Sequence, residues 1–104
     1  MKEKEIIYPA GSYVVLVKAG SGRNDYAMPT GYCYKLREDY IPGIFRPEKD
    51  ILNSGTNGWS YTSPEKLKVR LAGRKEIEEY IKLGKPCDVD NLYKEEIIDN
   101  YLIY

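Results

Sequence analysis

Residues 58 to 86, GWSYTSPEKLKVRLAGRKEIEEYIKLGKP, leave this chain the fewest ways to fold. Leu67, Val69 and Leu71 alternate with Lys68 and Arg70. That is the period-two pattern of a strand with one buried face. Trp59 and Tyr61 alternate in the same way just upstream, and Ser63-Pro64-Glu65 reads as a capped helical turn between the two strands. Ile77, Tyr80 and Ile81 then recur at helical spacing, and Gly84 followed by Pro86 marks a stop. The stretch predicts strand, tight turn, strand and a short helix over 74–83. The segments before it read as strands that this unit closes.

The upstream chain fits that reading. Met1 to Glu5 is charged and reads as a frayed end. Ile6-Ile7-Tyr8 is a short strand ended by Pro9. Tyr13, Val15 and Val17 alternate with Val14, Leu16 and Lys18, so both faces are apolar and the strand belongs in the middle of a sheet or at a barrel seam. Ala19 to Thr30 is a loop longer than a tight hairpin allows. Gly31 to Arg37 is the second strand, with Tyr32, Tyr34 and Leu36 on one face and Cys33, Lys35 and Arg37 on the other. Ile44-Phe45-Arg46 and Ile51-Leu52-Asn53 read as further short strands, and Asn57-Gly58 is a hairpin signal. After an extended link at Cys87 to Asp90, Asn91 to Tyr101 can form a second helix capped by Asp88 or Asp90. Two units follow: 1–87, and an acidic helical tail over 88–104.

Composition excludes more than it selects. The 104 residues contain no histidine, which removes histidine-assisted nucleophilic catalysis and the commonest nitrogen ligand of zinc. Adjacent carboxylates such as Glu38-Asp39 and Glu78-Glu79 point apart on a helix or strand, and no calcium-loop spacing occurs, so neither an acid–base dyad nor a metal or cofactor site is expected. Formal net charge is zero, which argues against bulk attraction to nucleic acid. It divides unevenly: residues 88–104 carry −4 and the rest +4. Two cysteines, Cys33 and Cys87, make no disulfide framework and read as small buried hydrophobes. With no apolar run long enough for a membrane and no secretory leader, a cytoplasmic protein is expected.

Eleven tyrosines stand against one Phe and one Trp. A tyrosine has an apolar body and a hydrogen-bonding tip, so it suits both thin barrel walls and contact surfaces. Tyr32, Tyr34, Trp59 and Tyr61 are the strongest candidate site if their strands neighbour one another; otherwise the same rings are core. Lys66, Lys68, Arg70, Arg74 and Lys75 form the densest basic cluster, which either meets a nucleic-acid backbone or blunts an exposed strand edge.

WSYTSPEKLKVRLAGRKEIEEY resembles the closing segment of small SH3-like barrel proteins of phages and prophages, and GSYVVLVKAG with Gly31-Tyr32 resembles their first two strands. The helix here opens Gly73-Arg74-Lys75-Glu76-Ile77, without the Thr-Pro opening common in that group. The resemblance implies a mainly β fold, an SH3-like barrel of five or six strands with one short helix and a C-terminal helix. It also implies that the long first loop contributes Arg23, Asn24 and Tyr26 to a binding face beside the tyrosine cluster. The implied role is a non-enzymatic accessory factor that engages a host protein. A second role is sequestration of a nucleotide-like signal as a counter-defence protein, with Arg23 or Arg70 as phosphate partners; a third is single-stranded nucleic-acid binding. Leu92, Tyr93, Ile97 and Tyr101 form an apolar stripe on the tail that is expected to dock on the barrel or on a second copy, with a homodimer favoured.

Overall fold

The computed structural model describes residues 5–19, 28–53, 58–60 and 64–94, with Trp59 and Ser60 by their backbone. The fold is mainly β. Strands β1 (Tyr13–Ala19), β2 (Tyr32–Lys35), β5 (Leu67–Leu71) and β6 (Cys87–Asp88) form an antiparallel sheet in the order β5-β1-β2-β6. Strands β3 (Ile44–Phe45) and β4 (Trp59–Ser60) form a second, two-stranded sheet. A 3-10 turn at Pro64–Lys66 leads into β5, helix α1 spans Arg74–Leu83, and a second helix, α2, runs over 89–94. The described strands stay in two sheets and do not close on themselves.

β1 is central because it can be buried on both sides. Val14 and Leu16 face one core with Tyr34, Leu36, Tyr40, Phe45 and Leu67. Val15 faces a second core with Cys33, Tyr80, Cys87 and Val89. The expected alternation fails at Val17, which is exposed. Leu16 pairs with Val69 and Lys18 with the next residue, Lys68, so Val17 is the extra residue of a bulge. The bulge also switches the face of everything after it, and Ala19 therefore joins the core of Val14 and Leu16.

β2 uses its outer edge twice. Tyr32 and Cys33 pair with Asp88 and Cys87 of β6. Farther along, Glu48 N–H donates to the Lys35 carbonyl and Arg37 N–H to the Arg46 carbonyl, both at 2.8 Å. The chain just after β3 thus continues the edge that β6 leaves. Ile6-Ile7-Tyr8 pairs only as a bridge, Tyr8 against Tyr40, with their rings stacked 5.9 Å apart. The strand expected over Ile51-Leu52-Asn53 is a turn. The Asp50 carboxylate accepts the Leu52 N–H at 2.9 Å, and Asn53 turns left-handed at φ 63, so the segment has no ladder to join.

α1 occupies residues 74–83, as its periodicity and stop signal predict. Its buried face matches the expected one in part, at Tyr80 and at half-buried Ile77. Glu76 and Tyr80 point inward, whereas Ile81 is 63% exposed. Tyr80 packs edge-on against Tyr13, with ring centroids 5.3 Å apart. Leu71, at the end of β5, is likewise exposed.

Candidate functional site

Helix α1 is anchored by a carboxylate. Glu76 is 1% exposed, and its two oxygens accept from the Arg70 guanidinium at 3.1 and 2.9 Å. One of them also accepts the Gly73 N–H at 2.7 Å, and Tyr93 of α2 hydrogen-bonds the same carboxylate. Glycine has no side chain to cap the helix, so the third helical residue folds back and caps the preceding backbone. Burial alone would raise the Glu76 carboxyl. Arg70, the Gly73 N–H and Tyr93 outweigh it and hold the group below the ordinary glutamate value. Four segments are therefore tied at one point: edge strand β5, the turn before α1, α1 itself and α2.

Beside this anchor, α1, β6 and α2 enclose an open cleft of about 310 Å³. Tyr32, Leu83 and Leu92 supply apolar walls, Glu79 and Asp88 supply carboxylates, and Lys85 supplies one ammonium. Leu83 is 46% exposed, so the helix presents apolar surface at the cleft. Partial burial and then the Asp88 charge push the Tyr32 hydroxyl above its ordinary range, leaving it a neutral donor. Asp88, one of the two expected caps, accepts the Asn91 N–H at 3.3 Å, and α2 begins at residue 89, two residues before its expected start.

The sequence-predicted site residues do not gather in one place. Tyr32 lines the cleft. Tyr34 is fully buried on the same strand, edge-on to Phe45, and donates its hydroxyl to the Pro29 carbonyl at 2.7 Å. It belongs to the core rather than to a binding wall, because the β3–β4 side of the sheet covers it. Arg70 is held by Glu76. Trp59 pairs with Phe45 through its backbone. Arg23, Asn24, Tyr26 and Tyr61 lie outside the described residues, as do Ile97 and Tyr101 of the tail stripe. Leu92 and Tyr93, the described half of that stripe, face their own chain: Leu92 at the cleft, Tyr93 at Glu76.

Glu79, Leu83, Lys85 and Asp88 were not legible as a site in the sequence. They come from a helix, a turn and a two-residue strand, and no spacing links them. Glu76 left one readable signal, its position three residues after Gly73. Among the described residues no helix is long and apolar enough to cross a membrane. No protein-family model, curated protein or solved structure matches the chain.

Proposed function

We propose that this protein is a non-enzymatic binding module, a phage or prophage accessory factor that engages a host protein through the cleft between α1, β6 and α2. The observation that carries the proposal is the pairing of exposed apolar surface at Leu83 with Tyr32 and a carboxylate-rich rim at Glu79 and Asp88. Such a cleft suits a partner segment with an apolar anchor beside a lysine or arginine. The same carboxylates oppose phosphate, and the Arg70 guanidinium already bonds Glu76, so a nucleotide-like ligand is the weaker reading. The finer fold assignment, an SH3-like barrel, belongs to this proposal. Its support is the strand, 3-10 turn, strand and helix in sequence from Trp59 to Leu83.

The test is affinity capture from bacterial lysate with the intact protein and with a Leu83→Glu variant, compared by mass spectrometry. Leu83 is exposed, so the substitution should leave the fold intact. Specific capture by the parent and its loss in the variant is the expected result. A blank with folded parent protein, or capture indifferent to position 83, overturns the proposal.

The tail stripe is proposed to dock on its own chain, in place of the expected homodimer. Tyr93 already bonds Glu76 of its own chain, and the Lys75 ammonium lies 6.0 Å from its ring centroid. Light scattering of the full chain at high micromolar concentration should give a monomer; a dimer would reverse this assignment.

A further inference from the structure

We propose that Cys33 and Cys87 form a reversible dithiol–disulfide site, oxidised by a small peroxide, that locks β6 and the cleft wall to the sheet. The two residues are direct cross-strand partners in the β2–β6 pairing. Both are buried and both are free thiols. Directly opposed residues of an antiparallel pair sit about 4.5–5.5 Å apart at Cα. That is within the roughly 4.4–6.8 Å a disulfide requires, so the bond needs side-chain rotation rather than a backbone shift. The Cys87 thiol donates to the Glu76 backbone carbonyl at 3.5 Å, a bond it gives up on turning to Cys33.

The pair is asymmetric in a useful way. Cys87 lines the cleft, while Cys33 lies behind it at the middle of the sheet. Both sulfurs are buried, Cys87 at 2% and Cys33 at 0% exposure, so a small oxidant enters from the cleft side as that wall opens and meets Cys87 first. Contact with the Cys33 thiol favours the Cys87 thiolate against its burial, and contact with Cys87 together with burial pushes Cys33 up. Cys87 is the attacking sulfur and Cys33 the resolving one.

Both steps balance. The Cys87 thiolate attacks one peroxide oxygen, the O–O bond breaks, and hydroxide leaves and is protonated to water. Cys87 is then a sulfenic acid. The Cys33 sulfur attacks the Cys87 sulfur, the S–O bond breaks, and the departing hydroxide takes the Cys33 proton as a second water. Two thiols have lost two electrons and peroxide has gained them. A dithiol reductant reverses the change by exchange.

The locked element is short and held by noncovalent contacts, among them Val89 N–H to the Gly31 carbonyl at 3.0 Å and the packing of Cys87 and Val89 in the second core. β6 has two residues, yet it carries α2 and one wall of the cleft. A covalent link from residue 33 to residue 87 closes a long loop of the unfolded chain and opposes loss of that strand. This inference does not depend on what the cleft binds.

The experiment treats the full chain with hydrogen peroxide and blocks remaining thiols with an alkylating agent. Non-reducing peptide mapping and thermal unfolding then follow. The expected result is simultaneous loss of both thiols in a monomer, a peptide linked through Cys33 and Cys87, and a Tm higher by about 10 °C. Dithiothreitol should restore the starting Tm. Cys33→Ser should stop at a sulfenic acid on Cys87 that dimedone traps. Two thiols still alkylatable after oxidation and unfolding, cross-links only between molecules, or a lowered Tm overturn the proposal. The mapping on the parent protein decides the matter even where the serine variant fails to fold.

Discussion

Glu76→Ala is expected to lower the free energy of unfolding by about 3 kcal/mol, read as an earlier urea midpoint. The substitution removes the acceptor shared by Arg70, the Gly73 N–H and Tyr93. The figure sits at the low end for breaking a buried ion pair because the Arg70 side chain is 47% exposed and water can take over its partner's role. Glu76→Gln keeps an acceptor for Gly73 and should cost less. A double-mutant cycle with Arg70→Ala separates the ion pair from the helix cap: additive losses would show that the two side chains do not cooperate.

The same carboxylate gives the stability a pH dependence of known sign. Its folded pKa lies below its unfolded one, so in the acid range the unfolded chain binds more protons. The contribution of Glu76 is complete above its unfolded value, roughly pH 4.3, and is lost as pH falls from there through the folded value. The parent protein should therefore lose more stability than Glu76→Gln on acidification through that window. Parallel pH profiles for the two proteins would mean that Glu76 is not held as described.

Gly58→Ala is the other change with a large expected effect, about 3 kcal/mol or more. Gly58 has φ +77, in the left-handed region. A Cβ there would overlap the Phe45 carbonyl oxygen and lie 2.8 Å from the Arg46 Cα. Those atoms are backbone, so relief requires β3 and β4 to separate, and Phe45 is fully buried. Gly84→Ala is the control. Its φ is +72, but nothing lies within 4 Å of the added carbon, so it carries the backbone term alone, about 1 kcal/mol. Urea denaturation of both variants tests the difference. Equal losses would show that the β3–β4 contact relaxes without cost.

Much of the fold was legible in local pattern, and much of the candidate site was not. The helix at 74–83 could be read because periodicity and the Gly84 stop act within a few residues, and Gly84 N–H does bond the Tyr80 carbonyl at 2.8 Å. β5 and the central place of β1 followed from alternation and from apolar residues on both faces. The pattern placed Tyr80 on the inner face of α1 and missed that Glu76, not Ile81, completes it. Hydrophobic spacing ranks Ile81 above Glu76, but a carboxylate with three donors is satisfied inside, while Ile81 stays 63% exposed.

What the sequence determined by itself was local: which segments extend, where the helix starts and stops, and that these 104 residues include no histidine. Tertiary structure decided what depends on pairing across long separations. The bulge at Val17 was set by register against β5. Tyr34 went to the core and Tyr32, on the same face, to a cleft edge because the two ends of β2 meet different elements. Cys33 met Cys87 because β6, two residues long and far along the chain, completes the edge of β2. No period or spacing encodes such meetings, since each results from strands brought together by the burial of other residues.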